Sequence, residues 1–247
     1  MEHALQEEQP QRALQIAHVL LRTLPRHLAT CCRLIRAAWQ MRRWDQGELW
    51  GRRLLRADPA NALAWRAVAM AAEQRGERAR AHARWQRAFE CDPYEPDIRA
   101  GLVRTSVNIA RLPALNEACL ATLYLRGHRW ELAARLQRRL TEIDPHRLDF
   151  QSGLLISLWR QRVQPDAYQL ARRLTQANPH LLIGWVVIDD LGDINDQALA
   201  RHPLTTMDPD GEYVRMMLGI PYPSRPVAIS ATGDESMLLA QGATLTE

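Results

Sequence analysis

Between Ala62 and Pro93 the apolar residues Trp65, Val68, Ala69 and Ala72 fall three and four positions apart, which places them on one face of a helix. Gly76 interrupts the pattern. Ala81, Trp85 and Ala88 then line the facing stripe of a second helix, which Asp92-Pro93 ends. The unit recurs along the chain. Prolines stand at Pro25, Pro59, Pro93, Pro145 and Pro179, separated by 34, 34, 52 and 34 residues, and twelve positions before each is a small residue: Ala13, Gly47, Ala81, Ala133 and Ala167. A close-contact residue and a helix-ending residue in fixed register predict a helical hairpin copied along the chain.

The other copies keep the framework with variation. Leu28 to Pro59 has Cys31, Leu34, Ile35, Ala38, Gly47 and Leu54, and Ala114 to Pro145 has Leu120, Ala121, Tyr124, Gly127, Ala133 and Leu140. Leu148 to Pro179 has Leu154, Leu155, Leu158, Ala167 and Leu174. Before Pro25 only a second helix is complete, with Ala13, Ala17 and Leu20, so the chain is expected to open on a half or fraying unit. The 52-residue gap exceeds the others by 18, which suits an unpaired helix at Asp97 to Leu112 with Pro113 opening the next; a divergent unit with a longer hairpin fits the same excess. Beyond Pro179 the register decays, with a helix at Leu181 to Leu191, short helices at Asn195 to Arg201 and Gly211 to Leu218, and a capping role for this end.

These residues resemble the tetratricopeptide repeat over roughly positions 9 to 200. The resemblance implies an all-α fold, a right-handed α-solenoid of antiparallel helix pairs, here with one extra unpaired helix. Residues 1–219 would form the array with its caps, and 220–247 a proline-rich linker and acidic tail with at most one short helix at Asp234 to Gln241.

Charge changes the picture more than composition does. Residues 1 to 180 hold 29 Arg against 18 acids, and residues 181 to 247 hold 3 Arg against 10 acids, so a basic array precedes an acidic end. Every basic residue is arginine, which GC-rich codon usage explains without local demand. Two readings of the end stay open. It folds back, with Asp208, Asp210, Glu212, Asp234 and Glu235 facing the arginines and Met237, Leu238 and Leu239 seeking an apolar patch, or it is a solvated tail. The four cysteines, Cys31, Cys32, Cys91 and Cys119, have no zinc or disulfide spacing and read as reduced thiols. No apolar stretch approaches a membrane span and the N-terminus lacks the pattern of a secretory signal, which points to the cytoplasm.

Candidate chemistry is sparse. His27 and Cys31 lie four apart beside Cys32 but lack further ligands, and the acidic run Asp189, Asp190, Asp193 and Asp196 lacks the glycine and terminal glutamate of a calcium loop, so it reads as a solvated helix end. The eight histidines are scattered, and no nucleophile elbow or phosphate loop is present. No enzyme activity, cofactor or metal is therefore expected. In the family resembled, first helices line a concave groove. Projected here, that surface carries Arg33, Arg36, Trp39, Gln40, Arg66, Met70, Arg104, Asn108, Arg126, Trp159 and Arg160. The expected function is a protein-interaction scaffold holding an acidic or amphipathic segment of another protein. Nucleic-acid binding through the basic groove is the alternative, and a structural subunit that self-associates through its repeat ends is a third. The absence of lysine disfavours the carboxylate clamp of the family's chaperone adaptors.

Overall fold

A computed structural model describes residues 1–106, 114–225 and 227–240. All its regular structure is helical. Successive antiparallel pairs are formed by α1 (Glu2–Gln6) with α2 (Pro10–Thr23), α3 (Leu28–Gln40) with α4 (Trp44–Ala57), and α5 (Ala62–Gln74) with α6 (Arg78–Cys91). After α7 (Pro96–Thr105) come α8 (Glu117–Arg126) with α9 (Trp130–Ile143), α10 (Leu148–Arg160) with α11 (Gln164–Ala177), and α12 (Leu182–Leu191) with α13 (Ile194–Met207). The short helices α14 (Glu212–Leu218) and α15 (Gly233–Ala240) follow. Each second helix packs on the first helix of the next unit, which makes the array solenoid-like. Here α7 packs on α5 and α6, while α8 packs with α6 and α9. The unpaired helix thus ends at Thr105; residues 107–113, including Asn108 and Pro113, lie outside the described residues.

Two turns generate this geometry. Five of the first helices, α1, α3, α5, α8 and α10, end in a Schellman turn whose left-handed residue is Glu8, Arg42, Gly76, His128 or Arg162, with φ of 55°, 54°, 73°, 56° and 62°. In the second unit Arg42 N–H bonds Trp39 O at 3.0 Å and Arg43 N–H bonds Ala38 O at 2.8 Å. These five positions repeat with the same gaps as the prolines. Only one is glycine. In the fourth unit the left-handed residue is His128, and Gly127, the glycine of the sequence framework, has φ −82°.

Each second helix ends at the residue before a proline, which the ring holds out of the helical region. Asp58, Asp92, Asp144 and Asn178 share φ between −146° and −134° and ψ between 81° and 87°. The proline carbonyl then accepts a bond from the side chain six residues on. Trp65 Nε1, Arg99, Gln151 and Trp185 Nε1 donate to Pro59, Pro93, Pro145 and Pro179 at 2.9, 3.1, 2.6 and 2.9 Å. Turn and following helix are tied together.

At Pro59, Pro93 and Pro145, helices of adjacent units meet eight residues before and eight after the proline, each time with a glycine on one side. Trp85 packs against Gly101 and Gln137 against Gly153, whereas Gly51 faces Ala67. A Cβ at Gly101 would sit 2.4 Å from the Trp85 ring. Beside it, Trp85 and Phe89 are almost wholly buried with Ile98 and Cys119.

The two ends of the chain depart from expectation. The start is a pair and not a lone second helix, although its first helix, α1, has only five residues; α1 packs on α2 and α3. Past Pro179 the pairing persists: α13 is one helix of 14 residues with Pro203 inside it, and it ends at Asp208-Pro209 in a sixth turn of the same kind. The hairpin before it is shortened to Gly192-Asp193. That shift exposes Gln197, at the small-residue position, and buries Asp196. The acidic run is accordingly structural. Asp193 caps α13, Asp196 meets Tyr168 and Arg172, and Asp189 and Asp190 hold Tyr222 and Trp159. Among the described residues no helix is long and apolar enough to cross a membrane.

Gly101→Ala is expected to destabilise the chain by about 1–3 kcal/mol, since the indole cannot withdraw from a filled crossing. Gly233→Ala, with no neighbour near its Cβ, is the control in urea unfolding. Arg162→Gly is expected to stabilise by about 0.5–1 kcal/mol, because its exposed side chain makes no bond that offsets a left-handed backbone.

Candidate functional site

First helices of successive units touch along the inner face, and most of the residues projected onto the groove serve to link them there. Arg33 reaches back 31 residues to Glu2 at 3.2 Å, and Arg104 does the same to Glu73 at 2.8 Å. Arg66 reaches forward to Asp97 at 2.6 Å and Glu95 at 3.5 Å, with its guanidinium 4.6 Å from the Trp39 ring. Trp159 Nε1 donates to Asp190 at 2.7 Å. Arg36 pairs with Glu2 at 3.0 Å, Gln40 donates to Leu5 O, and Arg126 meets Asp92 at 3.1 Å. Met70 packs at the edge of the Trp85 cluster. The inner face is therefore not an open row of arginines. Its positive charge is largely matched by acids of the neighbouring units.

Part of that face is covered by the chain itself. Buried residues of α3, α4 and α5, among them Leu28, Ile35, Leu54 and Ala64, share one core with Tyr213 and Val214 of α14. The array closes on its own C-terminal end. Tyr213 OH donates to Asp58 Oδ2 at 2.7 Å and accepts from Asn61 Nδ2 at 2.8 Å, 155 and 152 residues away in sequence. Glu212 pairs with Arg33 at 3.2 Å. Asp208, itself wholly buried, accepts from the backbone N–H groups of Tyr213 and Val214 at 2.9 and 2.8 Å and so fixes the start of α14. Burial pushes the Asp58 carboxyl above its ordinary range and that of Asp208 up to about 6. Further on, Glu235 forms a two-pronged pair with Arg22 at 2.8 Å and α15 packs on α2. The acidic end thus folds back through Glu212 and Glu235. Asp210 lies 3.8 Å from His27 Nε2, Asp208 works as a cap, and Met237 stays exposed.

Beside α14 the first helices enclose a cavity of about 600 Å³, bounded by the starts of α5 and α9, by α8 and α10, and by Met216, Met217 and Leu218. Its acids carry their own partners. Asp149 meets Arg87 at 2.9 Å and Arg147 at 2.7 Å, Glu90 meets Arg147 at 2.8 Å, and Asp58 is turned to Tyr213 and Asn61. Arg160 differs from the other inner-face arginines. Its guanidinium lies 5.1 Å from the Trp130 ring and 6.0 Å from that of Trp159, and it meets no carboxylate among the described residues. His128 stacks on Trp130 at 4.9 Å. Gln137, 3% exposed, keeps an Oε1 without a donor.

All four cysteines are free thiols, and burial pushes Cys31 and Cys32 up to about 12, so neither is a ready nucleophile or metal ligand. His27 turns Nδ1 to Thr30 Oγ1 at 2.8 Å instead of toward Cys31. Among the described residues no group of three His, Cys, Asp or Glu could hold a metal ion. No protein-family model matches the chain, and no curated protein matches it.

Asp58, Asn61, Tyr213, Gln137 and Trp130 belong to the site but were not among the projected residues. Asn61 and Asp58 flank a repeat proline and carry a local signal as turn and cap residues; Tyr213 carries none, because its partners are distant in sequence. Tyr213→Phe keeps the packing but removes the donor to Asp58, which is expected to cost about 1–2 kcal/mol at neutral pH. With its folded value raised, the Asp58 carboxyl contributes stability that is present at low pH and lost as pH rises through that value. Loss of the hydroxyl raises it further, so the gap between wild type and variant in urea unfolding is expected to widen from pH 4 to pH 7.

Proposed function

We propose that the chain is a non-enzymatic interaction scaffold of the tetratricopeptide-repeat kind, whose inner face receives an amphipathic, acid-bearing helical segment of a partner protein. The observation that carries this reading is the occupant already there. Helix α14 lays Tyr213 and Val214 on the inner side of α3 and α5 and sets Glu212 on Arg33, which is the chemistry a partner helix would bring. A partner would take the place of α14. Nucleic-acid binding is less well supported, since Arg33, Arg36, Arg66, Arg104 and Arg126 are held by acids of the chain and an incoming phosphate would have to break those pairs.

The test compares the full chain with its Glu212→Arg variant, in which α14 faces a like charge at Arg33. The probes are a labelled peptide spanning the sequence of residues 208–220 and a labelled mixed oligonucleotide, read by fluorescence anisotropy across salt. Wild type is expected to bind the peptide at least tenfold more weakly than the variant, because its own helix competes at an effective concentration of around a millimolar. Added salt is expected to weaken the peptide complex. Equal failure of the peptide on both proteins, or tighter binding of the oligonucleotide than of the peptide, would overturn the reading.

A further inference from the structure

The cavity beside α14 has a charge balance that is independent of how the inner face is used. A monoanion would complete it. Every carboxylate in its wall is engaged by a guanidinium or by Tyr213 and Asn61, whereas among the described residues Arg160 meets two indole faces and no acid. A half-buried guanidinium stacked on aromatic rings keeps its edge N–H groups free, and their fork matches a carboxylate. One such cation balances one negative charge; a doubly charged phosphate would bring a second into a wall that already contains Glu90 and Asp149.

The rest of the wall defines the ligand further. Gln137 is buried, its Oε1 has no donor, and its carboxamide is pinned against Gly153, where a Cβ would lie 2.5 Å from Nε2. That oxygen is sealed from the cavity as well, so Gln137 contributes wall and not a ligand contact. Leu125, Ile156, Met217 and Leu218 also line it and offer only apolar surface. The cavity volume of about 600 Å³ is that of a small-molecule site. We propose that this cavity binds a free amphipathic carboxylic acid, with its carboxylate on Arg160 and its apolar body beneath Met217 and Leu218.

Calorimetric titration of the full chain with decanoate, decanol and decyl phosphate, each below its micelle concentration, tests this. The acid is expected to bind saturably and at least about tenfold more tightly than decanol and decyl phosphate. Arg160→Gln is expected to bring decanoate down to the level of decanol, and Arg160→Lys to fall between. Decanol binding as well as decanoate, or decanoate affinity unchanged in Arg160→Gln, would overturn the proposal. Should the Arg160 variants fail to fold by circular dichroism, Met217→Trp fills the cavity from its rim. Decanoate binding lost in that variant supports the site, and binding retained in it overturns the assignment.

Discussion

The residue before a proline is disfavoured in the helical region, and although α13 runs through Pro203, the chain uses that restriction at its repeat turns as its ruler. Asp58, Asp92, Asp144 and Asn178 take one backbone conformation, so each following helix leaves at the same angle. The side chain six residues on then anchors the proline carbonyl. With angle and register both set, the positions eight before and eight after Pro59, Pro93 and Pro145 meet, and a glycine stands on one side of each contact. Trp85 is tolerated because Gly101 is opposite, and Gly51 leaves room for Ala67. Packing here follows from the turn.

Arginine makes a second set of contacts that lysine could not reproduce. The guanidiniums of Arg66, Arg87 and Arg104 lie 4.6, 4.8 and 5.9 Å from the rings of Trp39, Trp65 and Trp85, while their edges bond carboxylates of neighbouring or more distant units. A planar cation can stack and fork at once; a compact ammonium cannot. Composition bias was enough to explain the absence of lysine from sequence alone, yet at these sites there is a local demand. The same contacts account for the electrostatics. A basic array whose acids lie on adjacent first helices presents far less free charge than its formal excess suggests.

Local patterns were legible and distant ones were not. The helix pairs, their proline ends and the unpaired helix followed from spacing, because each depends on residues within one or two turns of chain. Left-handed Arg42, His128 and Arg162 were hidden, since Schellman turns built on non-glycine residues look like ordinary polar positions. The sixth turn at Asp208-Pro209 was also hidden. Shortening the hairpin to Gly192-Asp193 moved the buried face by one residue, and the small-residue marker fell on exposed Gln197. Pairing of inner-face arginines with acids 31 residues away has a period, but a rule based on separate helix faces does not look across units. The opposite charge of the two parts of the chain did forecast contact, and two of the five named acids, Glu212 and Glu235, make arginine pairs. Which helix docks, and through Tyr213, depends on a closure that no local pattern encodes.

That closure joins two surfaces through one short helix. One side of α14 carries Tyr213 and Val214 into the core shared with α3 and α5, and its end, Met216 to Leu218, forms the rim of the cavity next to Arg160. Seven residues are too few to be stable alone, so α14 exists through these contacts and through its Asp208 cap. Any molecule that packs beneath Met217 adds to the contacts holding the helix down, and any segment that takes the place of Tyr213 removes the rim. Under the two proposals these events would draw on one equilibrium. Linkage requires the weakening that each imposes on the other to be equal in free energy, whichever binds first. The physical basis of that coupling is not a path through the repeats but a single helix with two faces, held by Asp58, Asn61 and Arg33 on one side and bordering the cavity on the other.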